Sequence, residues 1–137
     1  MSATIRPCTL DEAGAVLELW QVAEAEPSHT DDIPSIVGLL NHDPGGLLVA
    51  DDTGQIVGSV IAGWDGWRGS IYRLVVAPSH RRQGLARRLL AEAEVRLRSQ
   101  GATRLAAIVV DRDLPAIGFW RSSDWQEQTS RLRFVNG

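Results

Sequence analysis

Apolar positions change their spacing several times along this chain, and each change marks a predicted element. Residues Thr4 to Pro7 predict a short edge strand. Thr9 and Glu12 have capping-box spacing ahead of the stripe Val16, Leu17, Leu19 and Trp20, which predicts a first helix running to about Glu24. A polar stretch around Pro27 follows. Asp32 then suits a helix N-cap with Pro34 in the first turn, and residues 41–46 close that second helix. Gly46 to Ala50 and Gln55 to Ile61 predict two strands joined by a turn at 51–54. Asp65-Gly66 between Trp64 and Trp67 predicts a type I′ turn with a cross-strand tryptophan pair, leading into a strand from Ser70 to Val76.

From Gly84 the period becomes helical. Leu85, Leu89, Leu90, Ala93 and Leu97 fall on one face, Glu92/Arg96 and Glu94/Arg98 sit four apart on the other, and Gly101 suits a left-handed stop. The unbroken apolar run from Leu105 to Val110 predicts a buried central strand. Leu114 to Ser122 predicts a short helix with Pro115 in its first turn, and Trp125 with Arg131 to Val135 predicts one or two closing strands. The order βααβββαβαβ(β) is that of an α/β fold with a mixed sheet, in one domain over residues 1–137.

Composition narrows the chemistry. The apolar fraction of 44% and charged fraction of 23% are those of a soluble globular chain. A net charge of −3 supplies no basic footprint for nucleic acid. All fourteen basic residues are arginine, so Schiff-base chemistry and lysine self-acylation are excluded. Cys8 is the sole cysteine: it cannot form an internal disulfide, and no His–carboxylate pair near it in sequence points to a nucleophile. With no signal-peptide pattern and no long apolar span, a cytoplasmic location without membrane contact is expected. Nothing in the sequence calls for a metal.

The segment from Val75 to Arg87 carries the most chemical information. A β-branched run ends at Ala77-Pro78, a basic loop follows, and a helix starts at a glycine. Such a junction leaves backbone N–H groups unpaired at a helix N-terminus, a ready-made anion site, and the arginines add positive charge. No G-x-x-x-x-G-K-S/T is present, and no G-x-G-x-x-G follows the first strand, so the nucleotide-binding loops are disfavoured. Arg81-x-x-Gly84-x-Ala86 resembles the pyrophosphate-binding signature of the GNAT N-acetyltransferases, and the element order resembles their fold. The stretch from Gly63 to Ser70 is similar to a hairpin of the small bacterial YpeA-like acetyltransferases within that family.

The resemblance implies a sheet that splays to admit the pantetheine arm of acetyl-CoA. It assigns the pyrophosphate to the loop of Arg81, Arg82, Gln83, Gly84, Leu85, Ala86 and Arg87, and the pantetheine amides to Leu74, Val75 and Val76. Residues 113–120 resemble the family's second motif, with Asp113 where asparagine is usual. Trp120 stands where a tyrosine usually protonates the departing thiolate, and an indole has no such proton to give. The glutamate that relatives use as base is also missing, because Arg73 lies near its place. Tyr72, alternating with Arg73 and so expected on the opposite face, is a candidate acid or oxyanion donor. Asp111, at the end of the expected strand, is a candidate base acting through water. Glu24, Glu26, His29 and Asp31 lie in the segment that forms the acceptor pocket in relatives, while His42 and His80 read as structural. Trp64 and Trp67 read as the hairpin pair, with an aromatic wall for a cationic amine as the sharper alternative.

The expected function is direct transfer of acetyl from acetyl-CoA to a primary amine, on a small molecule or a peptide N-terminus, in a monomer or homodimer. A catalytically silent acyl-CoA sensor is the alternative, favoured by Trp120 and Arg73. A GNAT-type toxin acting on aminoacyl-tRNA is disfavoured by the acidic balance.

Overall fold

The computed structural model describes residues 3–137 and divides into two compact units, Met1–Ala107 and Ile108–Gly137. The first unit holds β1 (Thr4–Pro7), α1 (Ala13–Val22), α2 (Ile33–His42), β2 (Leu47–Asp52), β3 (Gln55–Trp64), β4 (Gly69–Val76), α3 (Leu85–Gln100) and β5 (Leu105–Ala107). Its five strands lie in sequence order, antiparallel except for the parallel β4–β5 pair. The second unit holds α4 (Leu114–Arg121).

Helices begin where polar caps precede apolar stripes. Thr9 N–H donates to Glu12 Oε1 at 3.0 Å across a single 3-10 turn that leads into α1. Asp32 accepts from Ser35 N–H at 2.7 Å to start α2, with Pro34 in its first turn. Leu85, Leu89, Leu90, Ala93 and Leu97 are all buried on α3, which ends at Gly101 with φ 112°. Leu89 and Leu97 are wholly sequestered, each contributing about 2 kcal/mol of apolar burial. Arg96 of α3, half-buried, ion-pairs with Asp43 after α2.

Consecutive residues of β3 show how the layers are arranged. A Cβ at Gly58 would lie 2.9 Å from Leu89 on α3, whereas the neighbouring Ser59 hydroxyl accepts from Trp20 Nε1 on α1 at 2.9 Å. Side chains alternate along a strand, so α3 and α1 cover opposite faces of the sheet.

Four expectations are corrected. The strand expected over 105–110 stops at Ala107, pairs only with Gly69 to Ile71, and forms the sheet's edge rather than its centre. Ile108 is 65% exposed, because an apolar run signals burial only where a partner and a layer exist to cover it. Trp125 and Arg131 to Val135 form no strand, and Leu132 and Phe134 are 84% and 88% exposed. The observed order is therefore βααβββαβα. In the β3–β4 hairpin Trp64 faces Gly69, not Trp67, across a four-residue loop. Asp65 accepts from the N–H groups of Trp67 and Arg68, both at 2.7 Å, and this side-chain turn displaces the two-residue one. Trp67 points outward, with Arg68 stacked 4.2 Å from its ring centroid.

Candidate active site

β4 is a strand with one half paired on both sides and one half open. β5 accompanies it only through Ile71, and beyond that point no described strand pairs with β4 on that side. On the other side the β3 register slips, with Ile61 opposite Tyr72 but Ser59 opposite Val75. The extra residue is a bulge at Arg73, whose φ of +51° is left-handed and costs a non-glycine residue about 1 kcal/mol. A buried hydroxyl holds it: Ser59 Oγ donates to the Arg73 carbonyl at 2.8 Å. Past the bulge, Ala77 N–H donates to Val57 O, so Val75 also faces β3. Ladder alternation then directs the backbone polar groups of Leu74 and Val76 away from β3 toward the open side.

The bulge also corrects the expected alternation. A Cβ at Gly63 would meet the Tyr72 ring at 3.3 Å, and Gly63 shares its face with Ser59 and hence with α1. The Arg73 guanidinium lies on that same face, 5.1 Å from the Trp20 ring centroid. Tyr72 and Arg73 therefore do not sit on opposite faces. Tyr72 is 55% exposed.

After β4, residues 78–80 form a 3-10 turn tied to the tip of β2, where Asp52 Oδ2 lies 2.7 Å from His80 Nε2. This contact holds the Asp52 carboxyl below its ordinary range. The loop then passes through Arg82 at φ +64° and Gly84 at φ +75°. Among the described residues, the N–H groups of Arg82, Gln83, Gly84, Leu85 and Ala86 donate to no backbone carbonyl, and no side chain caps the helix. Space around Gly84 is open, with nothing within 4 Å of an added Cβ. Arg81 is exposed, and its Nε donates to Val76 O and its Nη2 to Ala23 O, both at 3.3 Å. It braces the loop against α1 and the end of β4. An uncapped helix N-terminus beside an open strand edge can take a phosphate group and an extended amide-bearing chain.

Asp111 does not end a strand: it lies in an exposed turn after β5 has finished. The following helix is capped by Asp113, which accepts from Ala116 N–H at 3.2 Å. Trp120 packs edge-on between Phe119 and Trp125, at centroid distances of 5.5 and 4.8 Å. Cys8 is buried, its thiol donates to Thr9 O at 3.3 Å, and burial pushes its pKa up to about 11, which keeps it protonated and unreactive near neutrality. Among the described residues no group of three or more His, Cys, Asp and Glu is arranged to hold a metal, and no helix is long and apolar enough to cross a membrane. Sequence reasoning missed the Ser59 hydroxyl and the Arg73 bulge. Their only sequence signals are a serine and an arginine inside otherwise apolar strands.

The sequence pattern described as the Acetyltransferase (GNAT) family matches residues 13–124. An acetyltransferase of Yersinia pseudotuberculosis is 36% identical over 124 residues, covering 90% of this chain and 88% of its own. The fold is that of the aminoglycoside 6'-N-acetyltransferase AAC(6')-IG from Acinetobacter haemolyticus, with TM-score 0.78, 22% identity and 98% of each chain covered. It is likewise that of AAC(6')-Iy in complex with the bisubstrate analogue CoA-S-monomethyl-acetylneamine, with TM-score 0.75, 18% identity and coverage of 100% and 99%. With a sheet open beyond Ile71, an uncapped α3 and these relatives, the chain belongs to the GNAT family and is an acetyltransferase that uses acetyl-CoA, an enzyme rather than a sensor.

Proposed function

We propose that this enzyme acetylates a primary amine of a small, cationic molecule by direct transfer from acetyl-CoA, in the cytoplasm. The observation that carries the reading is the uncapped N-terminus of α3 next to the open half of β4. In this assignment the N–H groups from Arg82 to Arg87 take the pyrophosphate. The outward backbone groups of Leu74 and the outward N–H of Val76, with Val75 between them, take the pantetheine amides and polarise the thioester carbonyl, while Val76 O already accepts from Arg81. The role of Asp113 and Trp120 rests on the family's second motif alone, and Asp113 is already engaged as the α4 cap.

Tyr72 is the proposed acid. Tyr72 is half exposed on the strand that would carry the thioester, and it is the only tyrosine in the sequence. Asp111 is the proposed base acting through water. With neither of the usual residues in place, positioning supplies much of the rate, an effect worth about 7 kcal/mol or more. The net charge of −3 favours a cationic acceptor. Aminoglycosides and polyamines are therefore the first amines to try, with a peptide N-terminus as the second class.

Calorimetric titration with acetyl-CoA, followed by thiol release across an amine panel, tests this reading. Binding with turnover on cationic amines supports it. Absence of acetyl-CoA binding overturns the cofactor assignment, and turnover only on peptides overturns the acceptor class. Tyr72→Phe is expected to lower kcat by roughly 100-fold with little change in stability, because the ring is half exposed. An unchanged kcat would remove Tyr72 from the chemistry.

A further inference from the structure

The segment between α1 and α2 is tied to the β4 bulge by a side-chain cluster that the proposed chemistry leaves unused. The Arg73 guanidinium forms an ion pair with Asp31, forty-two positions earlier, and each side chain is only 16% exposed. Asp31 is otherwise satisfied locally: Ser28 N–H donates to its Oδ2 at 3.0 Å and the Ser28 hydroxyl to its Oδ1 at 3.3 Å. Asp31 thus joins Arg73 to Ser28 through both of its carboxylate oxygens. Arg73 is fixed at both ends by one indole. Its backbone carbonyl accepts from Ser59, whose oxygen accepts from Trp20 Nε1, and its guanidinium stands over the Trp20 ring.

We propose that Arg73 is a positioning residue: through Asp31 it clamps residues 24–32 to the bulged strand, so the acceptor side is held in register with the strand that receives acetyl-CoA. The inference rests on the acetyl-transfer reading above and deepens it. The shielding of the pair matters, because removing one partner leaves the other charged group buried without compensation and releases the loop it ordered.

Asp31→Asn and Arg73→Asn separate the clamp from the bulge, since asparagine tolerates a left-handed backbone. Asp31→Glu keeps the carboxylate. Amide exchange is read with and without acetyl-CoA, and amine KM and kcat are read on the best acceptor of the panel. In both Asn variants, amides of residues 24–32 are expected to exchange about tenfold faster while those of α3 keep their rates. Acetyl-CoA slows exchange of that segment in the native protein only. The amine KM rises about tenfold, acetyl-CoA affinity stays within about twofold, and Asp31→Glu recovers most of the loss. Unchanged loop exchange would overturn the clamp, as would a loss of acetyl-CoA affinity in step with the amine KM. If the native protein bound no acetyl-CoA, the proposed function would fail, and loop exchange in the free protein would still decide the clamp.

Discussion

Two helices of the first unit begin in opposite ways. α2 starts at Asp32, whose carboxylate accepts from Ser35 N–H at 2.7 Å and places negative charge at the positive end of the helix. α3 starts at Gly84, in a left-handed conformation, with no side-chain cap and arginines on both sides. The first turn of α2 is completed from within the chain. The first turn of α3 lacks both a carboxylate and a Cβ at the junction, which leaves it open to the phosphate group proposed to bind there. A bare helix end is tolerable here because five buried residues along α3 hold the helix without it.

Converting the α3 start into the α2 kind breaks this contrast most severely. Gly84→Asp places a carboxylate where the pyrophosphate is assigned, and aspartate accepts a positive φ better than most residues. Acetyl-CoA affinity measured by calorimetry is expected to fall by about 100-fold or more, with thermal stability retained. A folded variant with native affinity would remove the α3 terminus from cofactor binding. The reverse change, Asp32→Ala, is expected to cost about 1 kcal/mol in denaturant unfolding and to leave acetyl-CoA affinity untouched. A drop in affinity there would show that the two termini are not independent.

The entry to α1 sharpens the contrast by adding pH. Glu12 receives Thr9 N–H and both terminal nitrogens of Arg6, at 2.9 and 2.7 Å. The Arg6 guanidinium, which also contacts Asp51, holds the Glu12 carboxyl down at about 2. A carboxylate with a lowered folded pKa adds stability above its ordinary value of 4.5, and that stability is lost as pH falls toward 2. Glu12→Gln is expected to cost about 1 kcal/mol at neutral pH and to flatten the decline in stability between those values. Equal acid sensitivity in both proteins would place that dependence elsewhere.

Local signals carried much of the architecture. Asp32 with Pro34, the five-residue apolar face of α3, Gly101 and the start of α4 at Leu114 with Pro115 in its first turn are each read within one or two turns of chain, and each is where it was expected. The candidate cofactor loop was legible for the same reason, because Arg81-x-x-Gly84-x-Ala86 sits at a strand–helix junction that the apolar pattern marks on both sides. Period and apolarity misled where an element needed a partner. Leu105 to Val110 and Arg131 to Val135 have strand-like composition, but a strand persists only while a neighbour takes its backbone hydrogen bonds.

Thus the sequence alone determined the helices, their caps, the order of the first four strands and the anion-ready junction at Gly84, because those depend on residues a few positions apart. The tertiary structure alone decided where β4 parts from β5, that Arg73 takes the extra place in the bulge, and that Ser59, Trp20 and Asp31 hold it there. Those contacts join residues 14 to 53 positions apart, and no spacing rule reaches across them: they need the strands paired and α1 packed on its face of the sheet.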